Sequence, residues 1–489
     1  MFDLLLITTI LLTVYIYKYY ENVRRYPQGP FPLPLVGNLL NFQPRRLYLY
    51  MDKCKETYGD VFTVWTPRPI VIIMNPEYAR QAYKGEDFLG RMGTFPDDIL
   101  QCAENGGVIF SQGQNWREQR RAAIQIMRDF GMGKNQMEEQ VRSSIEECMK
   151  HLDSLEDKSR VDFRWPIQIL VANVINNVLY NYKYAFDDCE PLMNFANCLQ
   201  DLVRVACPFV LITCSLLFFY VDKIKLNTIE MFISPSCAFQ LTDQVRRDVK
   251  QSLTSYDENS EPECFVHAYM QKMKTNARSV FSDEQMINVC MDFYLAGMET
   301  TSTTLRWGML HMAANQDVQD KIRAELHAFN KDAPPTMADR PKLPYTNAAV
   351  HELQRIANIL PLNVMHRTTV DTKVGGHSVP ANTLNLAQIY SIHRDPTIFA
   401  EPEKFKPERF LMEDGKTPNK ELLEYLNPFS MGKRQCAGEG LARMELLLGL
   451  SAILHKYRIL PPLDAPLDIS PIEASILLPK TNYLQMVSA

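Results

Sequence analysis

The sequence predicts a mainly α chain of the α+β class: one large helical domain with small β-sheets, preceded by an N-terminal transmembrane helix. Three observations carry this prediction. Apolar residues recur at helical spacing for some thirty positions after Ser282. The strand-like runs are short, as in "VFTVW" at 61–65 and "IVIIM" at 70–74. Positions 4–17 carry no charge at all. A chain of 489 residues with 46% hydrophobic content can bury a large core. Its net charge of −5 gives no overall pull towards nucleic acid or anionic lipid, so no nucleic-acid partner is expected.

Taken in chain order, the first element is the apolar run, followed by Lys18, Arg24 and Arg25 and edged by Tyr15, Tyr17, Tyr19 and Tyr20. That pattern suits a membrane anchor over 1–22 with the rest of the chain on the cytosolic side. A cleaved signal would want a basic start and a small-residue cleavage site, and neither is present. Pro27, Pro30, Pro32 and Pro34 then make 23–38 a stiff, extended hinge. Beyond it there is no repeat, low-complexity tract or linker, so 39–489 reads as one catalytic domain. A second apolar run, 206–221, is short for a span. A core helix and a segment dipping into the same membrane face both fit it.

The long helical pattern begins with Ser282 as N-cap and Gln285 three residues on, a capping box. In its middle sits Ala296-Gly-Met-Glu-Thr-Thr301, where Gly and two Thr are poor helix formers. The hydroxyl of Thr300 can bond the carbonyl of Ala296, opening the helix beside Gly297. Further on, Glu352 and Arg355 are i,i+3 neighbours. Arg409, in the proline-punctuated "EPEKFKPERF", is available as a third charged partner. Such a cluster, if buried, would lock that irregular segment in place. Strand-like pieces recur at 374–380 and 483–487.

The stretch "FSMGKRQCAG" at 429–438 sets Cys436 among glycines and basic residues. A packed core thiol is the usual fate of a lone cysteine. Zinc would want a second Cys or His at short spacing, and none of the eleven cysteines supplies one. Scattered and odd in number, they suit reduced thiols. A thiolate bound to iron needs backbone N–H groups, positive charge and small residues where a flat cofactor passes. Gly432, Gly438, Lys433 and Arg434 answer that description, so the local chemistry leans to haem.

Together these motifs resemble the cytochrome P450 family, and within it the membrane-bound animal enzymes of the drug- and fatty-acid-metabolising group. "FSMGKRQCAG" matches F-x-x-G-x-R-x-C-x-G in full, an event expected by chance on the order of 10⁻⁷ per start at average residue usage. "AGMETT", "ELQR" and "PERF" fall in the family's order, and "NWREQRR" and "PQGPFPLPLVGN" resemble its W-x-x-x-R helix and proline hinge. The resemblance implies a fold with a long central helix over the haem. It makes Cys436 the metal ligand of heme b, iron protoporphyrin IX. Trp116, Arg120, His366 and Arg434 would hold the haem propionates, with Arg91 a fifth, one residue out of register. Glu299 and Thr300 would be the catalytic acid–alcohol pair.

The same resemblance implies a monooxygenase that places one atom of O2 in a lipophilic substrate: a fatty acid, a steroid or a xenobiotic. Electrons would come from NADPH through NADPH-cytochrome P450 reductase, with cytochrome b5 as a further donor. Arg117, Arg121, Arg128 and Lys433 would give that partner a basic face. The location implied is the endoplasmic reticulum membrane, single-pass, with the catalytic domain facing the cytosol. Substrate would be met at about 92–109, 200–240, 290–301 and 359–366, which hold Phe95, Ile99, Phe209, Phe293, Leu360, Leu362 and Val364. Two other functions stay open. A haem-thiolate isomerase would need no reductase, though such relatives often lack the acid–alcohol pair. A haem sensor or carrier would need no relay at all.

Overall fold

The structure is a computed structural model that describes residues 2–66, 68–93, 101–130, 135–205, 235–275 and 280–488. Its axis is a 32-residue helix, Asp283–Ala314, as the apolar pattern predicts. Ser282 caps it by accepting the Gln285 N–H at 3.2 Å. Only half of the expected capping box forms, because the Gln285 side chain turns outward to accept the N–H of Gly107 at 3.3 Å. From Gln285 to Ala313 every residue is buried except Leu295, Ala296, Gly297 and Thr300. A helix that is apolar all round lies inside a core, and this one opens at one place.

The neighbours of the central helix are set by small residues. A Cβ on Gly297 would stand 3.2 Å from Ile175 of the helix Arg164–Tyr180, so the glycine admits that helix rather than leaving a groove. Gly308 does the same for Leu353 on Pro344–Ala357, at 3.1 Å. Gly449, on the helix Glu439–Lys456, meets Leu305 at 3.5 Å. One continuous apolar cluster runs through all four helices. Despite Gly297 and two threonines the central helix is unbroken.

Of the strand-like runs, 61–65, 70–74 and 483–487 lie on strands, whereas 374–380 contains a turn, and further short strands were not read from the sequence. Val61–Thr66, Arg68–Ile73, Leu384–Ala387 and His366–Arg367 lie side by side in that order, with the middle pair parallel and the outer pairs antiparallel. Thr372–Val374 and His377–Val379 form a hairpin whose turn, Gly375-Gly376, has positive φ at both residues. Tyr483–Ser488 lies between Val161–Asp162 and Tyr457–Leu460.

At the N-terminus, Phe2–Val23 is a helix with no buried residue and a mean hydropathy of 1.4 over an 18-residue stretch. Among the described residues it alone is long and apolar enough to cross a membrane. The hinge that follows is clamped to the first strand. Asn38 donates its backbone N–H to the Trp65 carbonyl at 2.7 Å, while its side chain accepts the Trp65 N–H at 2.8 Å and donates to the carbonyls of Pro30 and Phe31. The run 206–221 and residues Phe95, Ile99 and Phe209 lie outside the described residues.

Candidate active site

The cysteine loop rests directly on the end of the helix Pro76–Lys84. Gly432 has φ +77°, and a Cβ there would stand 2.0 Å from the carbonyl oxygen of Tyr83, so only glycine permits this approach. Cys436 then donates its backbone N–H to Phe429 at 3.0 Å. It is the one exposed cysteine among those described, and no disulfide forms among them. Although its side chain is accessible, it sits among dense protein, and burial raises the thiol pKa. Backbone N–H groups of Gly438 and Glu439, at the start of Glu439–Lys456, and the Arg120 charge pull the other way. Beside it Gly438 is open, with no atom within 4 Å of where a Cβ would lie. Among the described residues no group of three or more His, Cys, Asp or Glu could hold a metal ion, which leaves the zinc reading without support.

Two predicted cofactor-binding side chains stand over the Trp116 ring, and two more, Arg91 and His366, lie near Arg434. The Arg434 guanidinium lies 3.9 Å from the indole centroid and that of Arg120 5.9 Å. Arg434 also donates to the carbonyls of Leu89 and Ser111 at 2.8 and 2.7 Å. Arg120 donates to the carbonyl of Gln435, beside the cysteine. Arg91 is buried and belongs to the same cluster, reaching the carbonyls of Ile109 and Met365 at 3.0 and 2.8 Å. His366 stacks on Tyr83 at 3.9 Å and bonds the carbonyl of Phe88 through Nδ1. Burial, then the charges of Arg91 and Arg434, push its pKa well below the usual value, so the ring is neutral.

This cluster suits haem. Trp116 Nε1 is a buried donor without a partner among the described residues. An indole N–H flanked by guanidinium groups calls for an anionic acceptor, and the haem propionates are carboxylates. The accessible thiol and the open glycine beside it suit the iron and the flat ring.

The acid–alcohol pair is arranged differently from a simple side-by-side relay. Thr300 Oγ1 donates to the Ala296 carbonyl at 2.7 Å, as predicted, on the one open face of the central helix. Glu299 leaves the helix on another side and is 1% exposed. It accepts from Gln168 at 3.5 Å, Gln200 at 3.3 Å and Thr303 at 3.2 Å. Burial raises its pKa, opposed first by the nearby charge of Arg306. Arg306 is itself buried, with Nη2 on Asn482 at 2.7 Å and Nε and Nη1 unpartnered among the described residues.

The Glu352 cluster is as buried as the motif suggests. Arg355 binds Glu352 through two nitrogens, at 2.8 and 2.9 Å, and Arg409 binds it at 3.1 Å. The side chains of Glu352 and Arg355 have no exposure, and that of Arg409 has 6%. Sequence reading missed a second fastening. On the central helix Asn288 accepts the N–H of Cys102 and Ala103 at 2.6 and 3.1 Å, and Asp292 those of Val108 and Ile109 at 2.6 and 2.9 Å. A Cβ on Gly106 or Gly107 would strike those side chains, at 2.4 and 2.2 Å. The available signal was an Asn-x-x-x-Asp spacing inside an apolar helix. Glu445 was also missed: it is buried and hydrogen-bonded to Thr301, tying the thiol helix to the central helix one residue from Thr300. Of the expected lining residues, Leu360, Leu362 and Val364 are half-buried, whereas Phe293 is buried against Phe265.

The family model for cytochrome P450 matches residues 27–486. Cytochrome P450 2J3 of Rattus norvegicus is 32% identical over 469 residues, 92% of this chain and 89% of the relative. Cytochrome P450 2C28 of Mesocricetus auratus is 32% identical over 485 residues, 96% of each. Cytochrome P450 2B2 of Rattus norvegicus is 33% identical over 475 residues, 95% and 94%. The chain belongs to the cytochrome P450 family, and these relatives are family 2 animal enzymes of it. It is an oxidoreductase, a haem-thiolate monooxygenase that uses O2, a redox partner and lipophilic substrates.

Proposed function

We propose that Cys436 would hold heme b through its thiolate, and that NADPH-cytochrome P450 reductase, with cytochrome b5 as a further donor, delivers electrons to hydroxylate or epoxidise a fatty acid, steroid or xenobiotic. The observation that carries this reading is the one exposed thiol among the described cysteines, met by two backbone N–H groups at a helix start and by Arg120. Haem, when bound, supplies the iron at which O2 is activated. Trp116, Arg120, Arg434, His366 and Arg91 hold its carboxylates and fix its orientation. Thr300 Oγ1 would hold a proton on the open face of the central helix and pass it on, with Glu299, buried on another side of that helix, as the acid of the pair. The domains are an anchor over 1–22, a hinge over 23–38 and a catalytic domain over 39–489. Anchored by Phe2–Val23, the enzyme would sit single-pass in the endoplasmic reticulum membrane with its catalytic domain in the cytosol.

A decisive test combines two readouts. Reduced protein with carbon monoxide should show the strongly red-shifted Soret band of thiolate ligation, and Cys436→Ala should lose it. Reconstituted with reductase, NADPH and ¹⁸O2, the enzyme should add one labelled oxygen to members of a lipid and xenobiotic library. Turnover that needs no NADPH and incorporates no label would favour the isomerase.

A further inference from the structure

The face around the cysteine loop is less basic than its sequence suggests, because one carboxylate is placed among its cations. Glu86 stands two residues beyond the helix Pro76–Lys84. Arg117, on the helix Gly113–Asp129, donates to one of its oxygens at 2.5 Å, and Lys433, three residues before Cys436, donates to the other. All three side chains remain substantially exposed, at 50% for Arg117, 54% for Glu86 and 42% for Lys433. The arrangement is set by the backbone. Gly432 is pressed against the carbonyl of Tyr83, so Lys433 must emerge beside residue 86. A third cation, Arg121, has Glu118 at 3.6 Å.

Stability does not explain this bridge, since exposed pairs contribute little. Its effect on charge is larger. Two cations that would otherwise point at an incoming protein are engaged by an acid of their own chain.

We propose that Glu86 is an internal stand-in for a partner's carboxylate. In the free enzyme it occupies Arg117 and Lys433; an acidic flavoprotein docking on the cysteine-loop face must displace or share it. Glu86 thereby sets the association rate and the salt dependence of electron delivery. The inference rests on the reading that such a reductase is the electron donor, and goes beyond it by naming the residue that limits the encounter. At about 7 Å in water-like surroundings, one charge alters a pairwise attraction enough to change a rate by about threefold.

The test compares haem-loaded full-length protein and Glu86→Gln in detergent, with association to solubilised NADPH-cytochrome P450 reductase followed by surface plasmon resonance over a salt series. The variant should associate about threefold faster at low salt, with a steeper fall as salt rises, and should match wild type at about 0.5 M. Arg117→Gln should slow association more in the Glu86→Gln background than in wild type, because only there is Arg117 released. Asp157→Asn removes a charge of the same sign from the turn before Val161–Asp162 and controls for net charge. Unchanged or slower association of Glu86→Gln, with wild-type binding still salt-sensitive, would overturn the role of Glu86 alone; an equal gain from Asp157→Asn would do the same. Wild type that shows no salt-sensitive binding to the reductase would overturn this inference together with the electron-donor reading.

Discussion

Glu299 and Thr300 are adjacent in the chain, yet successive helical residues point about 100° apart, and the structure gives them different tasks. Thr300 is on the open face and its hydroxyl is the group that can pass a proton. Thr300→Ala should fold, because Ala is the better helix former, while NADPH consumption persists, product falls and hydrogen peroxide rises. Thr300→Ser should keep most of the coupling; unchanged coupling in Thr300→Ala would move the isomerase reading ahead. The back-bond of Thr300 was legible because it spans four residues of one helix. The direction of Glu299 was not, since its partners Gln168 and Gln200 come from helices about a hundred or more residues away. Asp292 carries a pH prediction. Burial raises its carboxyl to about 7, against the two N–H bonds it accepts, and the unfolded value is about 3.9. Between those values the folded chain holds a proton that the unfolded chain has released. The resulting stabilisation is full below about pH 4 and lost as pH rises towards 7. Asp292→Asn, which keeps an acceptor oxygen, should therefore gain thermal stability relative to wild type across that window, then hold the gain at higher pH. A constant difference in midpoint from pH 4 to 8 would contradict it.

At the scale of elements, two irregular stretches are fixed by polar side chains on helices. The Glu352 cluster holds 393–409: Arg355 donates to the carbonyl of His393 at 2.8 Å, Arg409 to those of Ala400 and Glu401 at 2.6 and 3.2 Å, and Glu352 accepts the Lys406 N–H at 2.8 Å. Removing Glu352 leaves two buried guanidinium groups without their carboxylate, a change that costs about 3–5 kcal/mol. Glu352→Ala should yield little haem-loaded protein, with early proteolytic cuts between residues 393 and 409. A normal carbon monoxide band and an unchanged thermal midpoint in that variant would show that the segment is held otherwise. The triad could be read from E-x-x-R and PERF because charged residues at fixed spacing inside apolar surroundings are unusual. The clasp of Asn288 and Asp292 on 102–109 could not, since the chain it holds has no periodicity and the pairing spans more than 180 residues. For the same reason the Gln285 side chain escaped its predicted cap. A backbone N–H at Gly107, far away in sequence, outcompetes a local one.

Across the whole molecule the question is how the anchor meets the catalytic domain. The apolar face of Phe2–Val23 buries nothing, but its last turn is attached. Tyr19 lies 5.7 Å from the Trp65 ring and bonds the carbonyl of Leu33 at 3.2 Å; Tyr20 stacks on Phe31 at 5.1 Å and bonds that of Pro32 at 3.3 Å. Sequence reading found the aromatic edge and assigned it to the membrane interface. In the folded chain two of those four tyrosines grip the hinge and first strand instead, so the anchor enters the domain through a fixed joint. Two truncations separate these roles. Removing 2–17 takes away the apolar run and spares Tyr19 and Tyr20; removing 2–22 takes both. Each should retain the red-shifted carbon monoxide band, because the residues gathered around the cysteine loop begin only with the helix Pro76–Lys84. The longer deletion should also melt about 1–6 °C lower than the shorter one, since each of the two aromatic contacts is worth about 0.5–1.5 kcal/mol and a chain of this size shifts by only about a degree or two per kcal/mol. Equal midpoints would mean that the tyrosines add nothing to the catalytic domain and that the anchor is a free tether.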